Sequence, residues 1–244
     1  MREELRETIQ AAHSFHAESK GLLKNTAMES FTKNALQSVI NKFQELYPEV
    51  IIEVHINSHL VDIVGEGFDI VFRSGQFQDS PFIASYLARN RSVLVASPEY
   101  LIRYGKLDTM EDLQKLPVGG FATDTFRISE LKYTDVQNQV QTMPMDCAYF
   151  GNDIDLVVQQ ALSGRIYCKF PAVHIRDEVL SGKLVPILTD LKIPYYNPFY
   201  AVYPHRDMSM RTRLFLDAVR NSIGEDTPCW ESNIPGKGVA TGLN

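Results

Sequence analysis

The sequence lacks several features that mark common classes of protein. Its 244 residues include three cysteines, Cys147, Cys168 and Cys229, and none of them forms a CxxC pair. Their number and spacing predict reduced, buried thiols, as in a cytoplasmic protein. No run approaches the roughly 18 apolar residues that a membrane span requires. The charged N-terminal stretch MREELRETIQAAHSFHAE does not resemble a secretory signal. We therefore expect a cytoplasmic protein without contact to a membrane.

Basic residues are also scarce. The chain has 24 Lys plus Arg against 30 Asp plus Glu, a formal net charge of −6. This balance excludes the basic surface of a free-standing DNA- or RNA-binding domain. By contrast, the apolar share of 44% and the charged share of 22% are typical of globular proteins. The length predicts one large domain or two small ones.

Sequence motifs for catalysis are missing as well. The chain has no GxSxG, HExxH or GxxxxGK[ST] motif. The pairs His13/His16 and His55/His59 are more simply solvated or core side chains than metal ligands. Likewise, the acidic group of Asp62, Glu66 and Asp69 is more simply a solvated face. We therefore predict no catalytic residue, no metal site and no enzymatic activity.

Apolar periodicity predicts strands that alternate with helices, and hence right-handed βαβ units with a parallel sheet. Residues 122–144 have mixed signals and receive no assignment. The predicted strands are Leu22–Ala27, Val50–Ile56, Asp69–Arg73, Ser92–Ala96, Val118–Phe121, Cys147–Phe150, Ile166–Phe170, Leu184–Leu188 and Phe199–Tyr203. The predicted helices follow Glu29-Ser30, span Leu60–Val64, run from Pro98 to Gly105, span Met110–Leu116, follow Asn152-Asp153, and span His174–Leu180 and Arg213–Val219.

The two ends of the chain have distinct patterns. Leu5, Ile9, Ala12 and His16 recur at 4-3-4 spacing, as in a short coiled coil. This helix either packs on its own domain or is the end of a longer helix that leads in from another domain. Residues 233–244 carry little apolar surface, which predicts a flexible tail.

Helix N-termini at the carboxyl ends of parallel strands are ready sites for small anions or polar ligands. Five such positions follow from the predicted elements, and for each one helix capping alone is the competing explanation. They are Ser30, Asn57 with Ser58, Ser97, Phe121 and Asn152.

Several segments of the chain, taken in their order along the sequence, resemble the effector-binding domain of LysR-type transcriptional regulators. They include GLLK at Gly21, F-x-x-x-Y-P-E-V-x-I-E-V from Phe43, LVDIVGEGFDIVFRSG from Leu60, VLVASPEYL from Val93 and GKLVPIL from Gly182. Together they cover about residues 20–220. Such regulators begin with a winged helix-turn-helix. A long linker helix joins that part to the effector-binding domain. The resemblance implies that this chain contains only the end of the linker helix and contacts DNA only through an absent N-terminal domain.

The resemblance implies an α/β fold of two Rossmann-like lobes, of the type 2 periplasmic-binding-protein kind, joined by two crossing strands. A small-molecule effector, with carboxylates among the candidates, would bind in the cleft between the lobes. The implied divisions are 1–20 (end of the linker helix), 21–96 with 200–232 (lobe I), 97–199 (lobe II) and 233–244 (tail). The implied effector contacts are Ser30, Asn57, Ser58, Arg73, Ser97, Phe121 and Asn152.

Arg73 has two interpretations: it pairs with an anionic effector, or it forms an ion pair with Asp69 or Asp79. For partners, the resemblance implies a homodimer or homotetramer formed by lobe I helices, around Ala35–Leu46 and Leu60–Val64. Departures from the family pattern at Thr32-Lys33 and Ser163-Gly164-Arg165 mean that the effector's identity does not carry over. A solute-binding protein and a two-lobed enzyme of the same fold are the alternatives.

Overall fold

The computed structural model describes residues 20–57, 61–75, 81–204 and 208–236. The predicted N-terminal helix, Ser58 and the tail from residue 237 lie outside them. The chain divides into two compact units. The first consists of the chain up to Ala88 together with Asn197–Cys229, and the second of Arg89–Tyr196 together with the segment from Trp230 onward. Each unit is α/β and has a sheet of its own.

The strands and helices have the following bounds. The strands are β1 (Gly21–Ala27), β2 (Val50–Ile56), β3 (Ile70–Ser74), β4 (Ile83–Asn90), β5 (Ser92–Ala96), β6 (Val118–Ala122), β7 (Arg127–Ile128), β8 (Glu130–Thr134), β9 (Val140–Pro144), β10 (Cys147–Gly151), β11 (Tyr167–Pro171), β12 (Val185–Pro186) and β13 (Tyr196–Tyr203). The α-helices are α1 (Glu29–Phe31), α2 (Gln37–Leu46), α3 (Pro98–Tyr104), α4 (Met110–Lys115), α5 (Ile154–Leu162), α6 (Arg176–Leu180) and α7 (Met210–Ile223). A π-helical turn, Thr32–Leu36, joins α1 to α2, and a 3₁₀ turn, Ala172–His174, precedes α6.

The first unit is built on a five-stranded sheet in the order β2-β1-β3-β13-β4. Strand β1 is parallel to β2 and β3, while β13 is antiparallel to β3. Aromatic side chains form much of its core. The Phe31 ring lies 5.5 Å from that of Phe72 and 4.7 Å from that of Phe199. Helices α2 and α7 meet at Phe43 and Phe215, whose rings are 5.2 Å apart.

Helix α2 forms where the sequence predicts it because Val39, Ile40 and Phe43 fall on one buried face. Tyr47 leaves the helical region, with φ −129° and ψ 69°. The following Pro48 explains this end, since proline disfavours a helical conformation in the residue before it.

The second unit has a sheet in the order β10-β6-β11-β5-β12, with β7 paired to β6 and a separate β8–β9 hairpin. Strands β10, β6 and β11 are parallel to one another, whereas β5 runs antiparallel to β11. Two buried tyrosines link helices to this sheet. The Tyr100 hydroxyl donates to the Pro117 carbonyl at 3.0 Å, and the Tyr167 hydroxyl donates to the Leu113 carbonyl at 2.7 Å. Both buried hydroxyls are therefore satisfied.

Several sequence predictions of local structure are wrong. Residues 61–62 have no regular structure and residues 63–67 form turns, so the helix predicted over Leu60–Val64 is not formed in its described part, because the Gly65-Glu66-Gly67 sequence stops any helix after a few residues. The predicted strand Leu184–Leu188 is reduced to β12, and Leu188 has a φ of 45°. The sequence pattern does not predict strand β4. The stretch 122–144, for which it predicts no element, contains β7, β8 and β9.

Some boundaries of the predicted lobes differ from those of the two units. The sequence places 92–96 in lobe I, but β5 pairs with β11 and β12 in the second unit's sheet. Residues 230–232, also placed in lobe I, fall in the second unit. The prediction of a flexible tail is wrong for 233–236, because Ile234 is buried and Arg91 donates to the carbonyls of Ile234, Pro235 and Gly236. The remaining lobe boundaries stay a prediction.

Candidate effector-binding groups in the two units

In the first unit, three predicted site residues follow neighbouring parallel strands. Ala27 at the end of β1 aligns with Ile56 of β2 and with Phe72 of β3. The carboxyl ends of the three strands therefore lie along one edge of the sheet. Ser30, Asn57 and Arg73 come just after or at these ends, so the structure brings them to the same edge.

Arg73 is buried, yet its guanidinium is only partly satisfied. Nη1 donates to the carbonyl of Asn57, while the buried Nη2 has no hydrogen-bond partner among the described residues. Burial lowers the pKa of Arg73, and the negative charge of Glu66 partly opposes this effect. A buried donor without a partner is costly, so Nη2 is available to an acceptor on a ligand.

The proposed ion pair between Arg73 and Asp69 is wrong. Asp69 instead accepts a hydrogen bond from the backbone N–H of Lys24 at 2.8 Å and lies 3.9 Å from Nη2 of Arg211. Asp79, the other suggested partner, lies outside the described residues. These contacts exclude Asp69 as the partner of Arg73, and pairing with an anionic ligand stays a prediction.

Ser30 does not cap the first helix, contrary to the expectation for Glu29-Ser30. Met28 occupies the N-cap position of α1 without a side-chain bond, and Ser30 lies within the helix. The Ser30 side chain is buried, and its Oγ has no hydrogen-bond partner among the described residues. The competing explanation of Ser30 as a helix cap is thereby removed.

In the second unit, Phe121 and Asn152 lie at the same sheet edge. Gly151 at the end of β10 aligns with Phe121 of β6 in parallel register. Asn152 is exposed and leaves the capping of α5 to Asp153, whose Oδ1 accepts from the N–H of Leu156 at 3.1 Å. Asn152 lines an open depression with Thr123, Asp124 and the end of β10.

Ser97 is not brought together with Phe121 and Asn152. Because β5 runs antiparallel to β11, its carboxyl end lies beside the amino ends of β11 and β6. Ser97 is fully buried there, and its Oγ accepts from the N–H of Tyr100 at 3.2 Å. It caps α3, with Pro98 in the first turn. The sequence did not reveal the direction of β5 in its sheet, and the capping explanation applies at this position.

A cavity of about 100 Å³ lies beside Phe121, entirely within the second unit. Its lining is mainly apolar and aromatic, with Lys169 as its one charged side chain. The lining residues are Ser92, Gly119, Gly120, Phe121, Phe126, Ile128, Met145, Ile154, Val157, Lys169, Phe170, Pro171 and Tyr196.

Sequence reasoning missed Lys169. The residue lies in β11 between the buried side chains of Cys168 and Phe170. Burial lowers the pKa of the Lys169 ammonium, and the positive charge of Lys132 lowers it further. A lysine within the otherwise apolar strand YCKFP was the available signal, since charged residues are rarely buried without a purpose.

Among the described residues, no group of three or more His, Cys, Asp or Glu side chains is placed to hold a metal ion. Within the same residues, no helix has the length and apolar character needed to cross a membrane.

The chain passes between the two α/β units at β4 and at β13. In each unit, parallel strands end in polar or aromatic groups. These features define a two-lobed fold of the type 2 periplasmic-binding-protein kind. The chain belongs to the LysR substrate binding domain family, whose match covers residues 16–224. Its place in such a regulator is that of the effector-sensing regulatory domain.

The similarity of the chain to transcriptional regulators supports this assignment. The chain is 26% identical over 213 residues to the HTH-type transcriptional regulator CrgA of Neisseria meningitidis serogroup C, covering 86% of this chain and 70% of that protein. It is 27% identical over 230 residues to the HTH-type transcriptional regulator PtxR of Pseudomonas aeruginosa, covering 91% of this chain and 71% of that protein.

Solved structures share the fold. The CrgA structure from Neisseria meningitidis matches with a TM-score of 0.71 at 23% identity, covering 92% of this chain and 76% of that one. The regulatory domain of AphB in Vibrio vulnificus matches with a TM-score of 0.66 at 26% identity, covering 83% of this chain and 98% of that one.

Proposed function

We propose that this domain senses a small molecule through the polar and aromatic groups at the strand ends of its two units, and that it performs no catalysis. The observation that carries the proposal concerns two of the buried polar atoms in the first unit, Ser30 Oγ and Arg73 Nη2, which have no hydrogen-bond partner among the described residues and lie at the strand ends. Leaving such atoms unpaired costs stability. A bound ligand that supplies their partners compensates that cost and gives the positions a function.

The mechanism we propose is a population shift. An effector that binds one arrangement of the domain more tightly than another changes the balance between them. The relatives named above are transcriptional regulators of the helix-turn-helix type. By analogy, the shift would control transcription through a DNA-binding domain of the same regulator, and the protein would act in the cytoplasm, where it reaches DNA. The placement of the effector in a cleft between the lobes stays a prediction.

The test of effector sensing is a thermal-shift screen of small metabolites that differ in charge and size. At least one compound is expected to raise the melting temperature, because a ligand that binds only the folded state stabilises it. Ser30→Ala and Asn152→Ala are expected to abolish that shift, while Ser97→Ala lowers the starting stability but retains it. A shift that survives both Ser30→Ala and Asn152→Ala would contradict the site assignment.

We further propose self-association through the first unit. Strand β2 forms an edge of its sheet and exposes Ile51 and Ile56, and Leu46 at the end of α2 is 71% exposed. Exposed apolar groups on an unpaired strand edge favour contact with a second copy of the chain. Sedimentation velocity should show a dimer or tetramer that Leu46→Glu dissociates. Ile102→Glu, at an exposed apolar residue of the second unit, is the matched control and should leave assembly unchanged.

A further inference from the structure

The cavity beside Phe121 has an unusual electrostatic composition. Twelve of its thirteen lining residues are uncharged, and Lys169 supplies the only charge. Lys169 has no hydrogen-bond or carboxylate partner among the described residues. The charge that acts on its pKa is that of Lys132, which has the same sign. A positive charge that is largely removed from water and faces a second positive charge is unfavourable unless an anion accompanies it.

The apolar part of the lining limits the body of the ligand. Phe121 and Phe170 line the cavity together with Ile128, Ile154 and Val157. These side chains favour a hydrocarbon body and offer it no hydrogen bonds. The volume of about 100 Å³ is smaller than the roughly 150 Å³ cavity that accommodates benzene in another protein. A short or branched alkyl chain therefore fits better than an aromatic ring.

We propose that this cavity binds a small aliphatic monocarboxylate, with its carboxylate on the Lys169 ammonium and its alkyl chain among the apolar side chains. The inference rests on the proposed sensing function and assigns the chemical class of the effector. A single carboxylate matches the single ammonium. A dicarboxylate or a phosphate would bring a second negative charge into apolar surroundings without a partner.

Lysine suits this role for a physical reason. Its ammonium is a compact point charge that binds a carboxylate in several orientations, without the fixed geometry of a guanidinium. The cavity then selects the ligand by the shape of its alkyl chain, while Lys169 selects it by its charge. A neutral compound of the same shape is expected to bind as well, but without the contribution of the ion pair.

The experiment is a titration of the described domain with isovalerate and with the neutral isostere 3-methylbutanol, followed by protein NMR. Isovalerate is expected to bind with a Kd of about 1 mM or below. Lys169→Met keeps the stem and removes the charge, and it should weaken isovalerate binding about tenfold or more. Lys183→Met, at an exposed lysine, is the matched control and should bind isovalerate as the unchanged protein does.

Binding of 3-methylbutanol should be equal in the unchanged protein and in Lys169→Met, which shows that the variant retains the folded cavity. Succinate and benzoate, which test the second charge and the ring, should bind more weakly than isovalerate. The proposal is overturned if isovalerate does not bind, if Lys169→Met binds it as tightly, or if succinate or benzoate binds more tightly.

The outcomes separate this inference from the sensing function. A non-acidic metabolite that produces a thermal shift dependent on Ser30 and Asn152 would support the sensing function. The same result would contradict the proposal that the effector is a monocarboxylate. In the converse outcome, isovalerate binds in a manner that depends on Lys169 while no metabolite gives a thermal shift that depends on Ser30 or Asn152. That result would support the monocarboxylate site in the cavity and contradict the proposed site at the strand ends.

Discussion

The carboxylate of Glu231 holds the segment after Trp230 to the start of the second unit. Its Oε2 accepts from Nε of Arg89 at 3.0 Å, and its Oε1 accepts from the backbone N–H of Arg91 at 3.2 Å. The Glu231 side chain is 2% exposed and that of Arg89 is 35% exposed. Arg91 in turn donates to three carbonyls of residues 234–236. Two arginines and one glutamate thus fix a segment that has no helix or strand.

Glu231→Gln is expected to lower the free energy of unfolding by about 2 kcal/mol, because it removes the charge of the buried Glu231 carboxylate from its ion pair with Arg89. Urea unfolding followed by the fluorescence of Trp230, the single tryptophan, measures the change. Asp217→Asn is the control. It breaks the exposed pair of Asp217 with Arg220, and its effect should stay below about 0.5 kcal/mol. Equal losses in the two variants would contradict the role given to Glu231.

Gly119→Ala is expected to destabilise the protein by about 1–3 kcal/mol, the usual cost of overpacking a core. A Cβ at Gly119 would lie 2.4 Å from Cδ1 of Ile166 and 2.7 Å from Sγ of Cys168. Ile166→Val removes the nearest of these atoms. The double variant should therefore lose less stability than the two single losses add up to. Additive losses in urea unfolding would show that the contact with Ile166 is not the cause.

Ser30→Ala is expected to leave the unliganded protein as stable as before or more stable by up to about 1 kcal/mol, because a buried hydroxyl without a partner contributes no net bond. Thr32→Val, two residues further along the chain, is the matched comparison. The Thr32 hydroxyl donates to the carbonyl of Met28 at 2.9 Å, so its loss should cost about 1 kcal/mol. Thermal unfolding measures both, and a larger loss for Ser30→Ala would mean that its hydroxyl is satisfied in the folded protein.

The lowered pKa of Lys169 predicts that the folded protein becomes more stable as the pH rises. Folding lowers the pKa of its ammonium below the ordinary value of 10.5. Between the two pKa values the unfolded chain therefore binds more protons than the folded one, and the free energy of unfolding increases as the pH rises through this window. Below the window the buried charge is a constant penalty, of about 1.4 kcal/mol for each unit of pKa shift.

Lys169→Met should consequently be more stable than the unchanged protein at pH 7, with the difference declining as the pH approaches 10.5. Urea unfolding at a series of pH values measures the difference. Lys183→Met, at an exposed position, should follow the unchanged protein throughout. A Lys169→Met variant that is less stable at pH 7 would indicate that the ammonium has a stabilising partner in the folded state.

The sequence by itself predicted most elements whose own residues carry a strong pattern. The β-branched runs VIIEVHI and SVLVA are the strands β2 and β5 at the predicted bounds. Proline, glycine and serine marked the limits of α3, because Pro98, Gly105 and Ser97 act through the local backbone. The order of family-like segments also predicted the two-lobed fold, which the structure and the comparisons confirm.

Sequence reasoning was weaker where partners distant in the chain decide the structure. Each strand of the hairpin β8–β9 has one buried residue, Leu131 in β8 and its partner Met143 in β9, so the apolar pattern of the hairpin is faint. Residues 233–236 contain one large apolar side chain, the buried Ile234, and Arg91 holds residues 234–236 through their carbonyls. Backbone acceptors of this kind leave no pattern in the sequence.

The candidate site shows the same division. The sequence pattern predicted parallel strands followed by polar or aromatic residues, and it was sufficient to single out Ser30, Asn57, Phe121 and Asn152. Arg73 was added by the family resemblance. Only the tertiary structure decided that β5 runs against β11 and so places Ser97 at the other edge. It also decided that Lys169 lines a mainly apolar cavity with no carboxylate among its described lining residues. Strand direction and the absence of a partner depend on contacts between residues far apart in the chain, whereas strand and helix periodicity depends on neighbours.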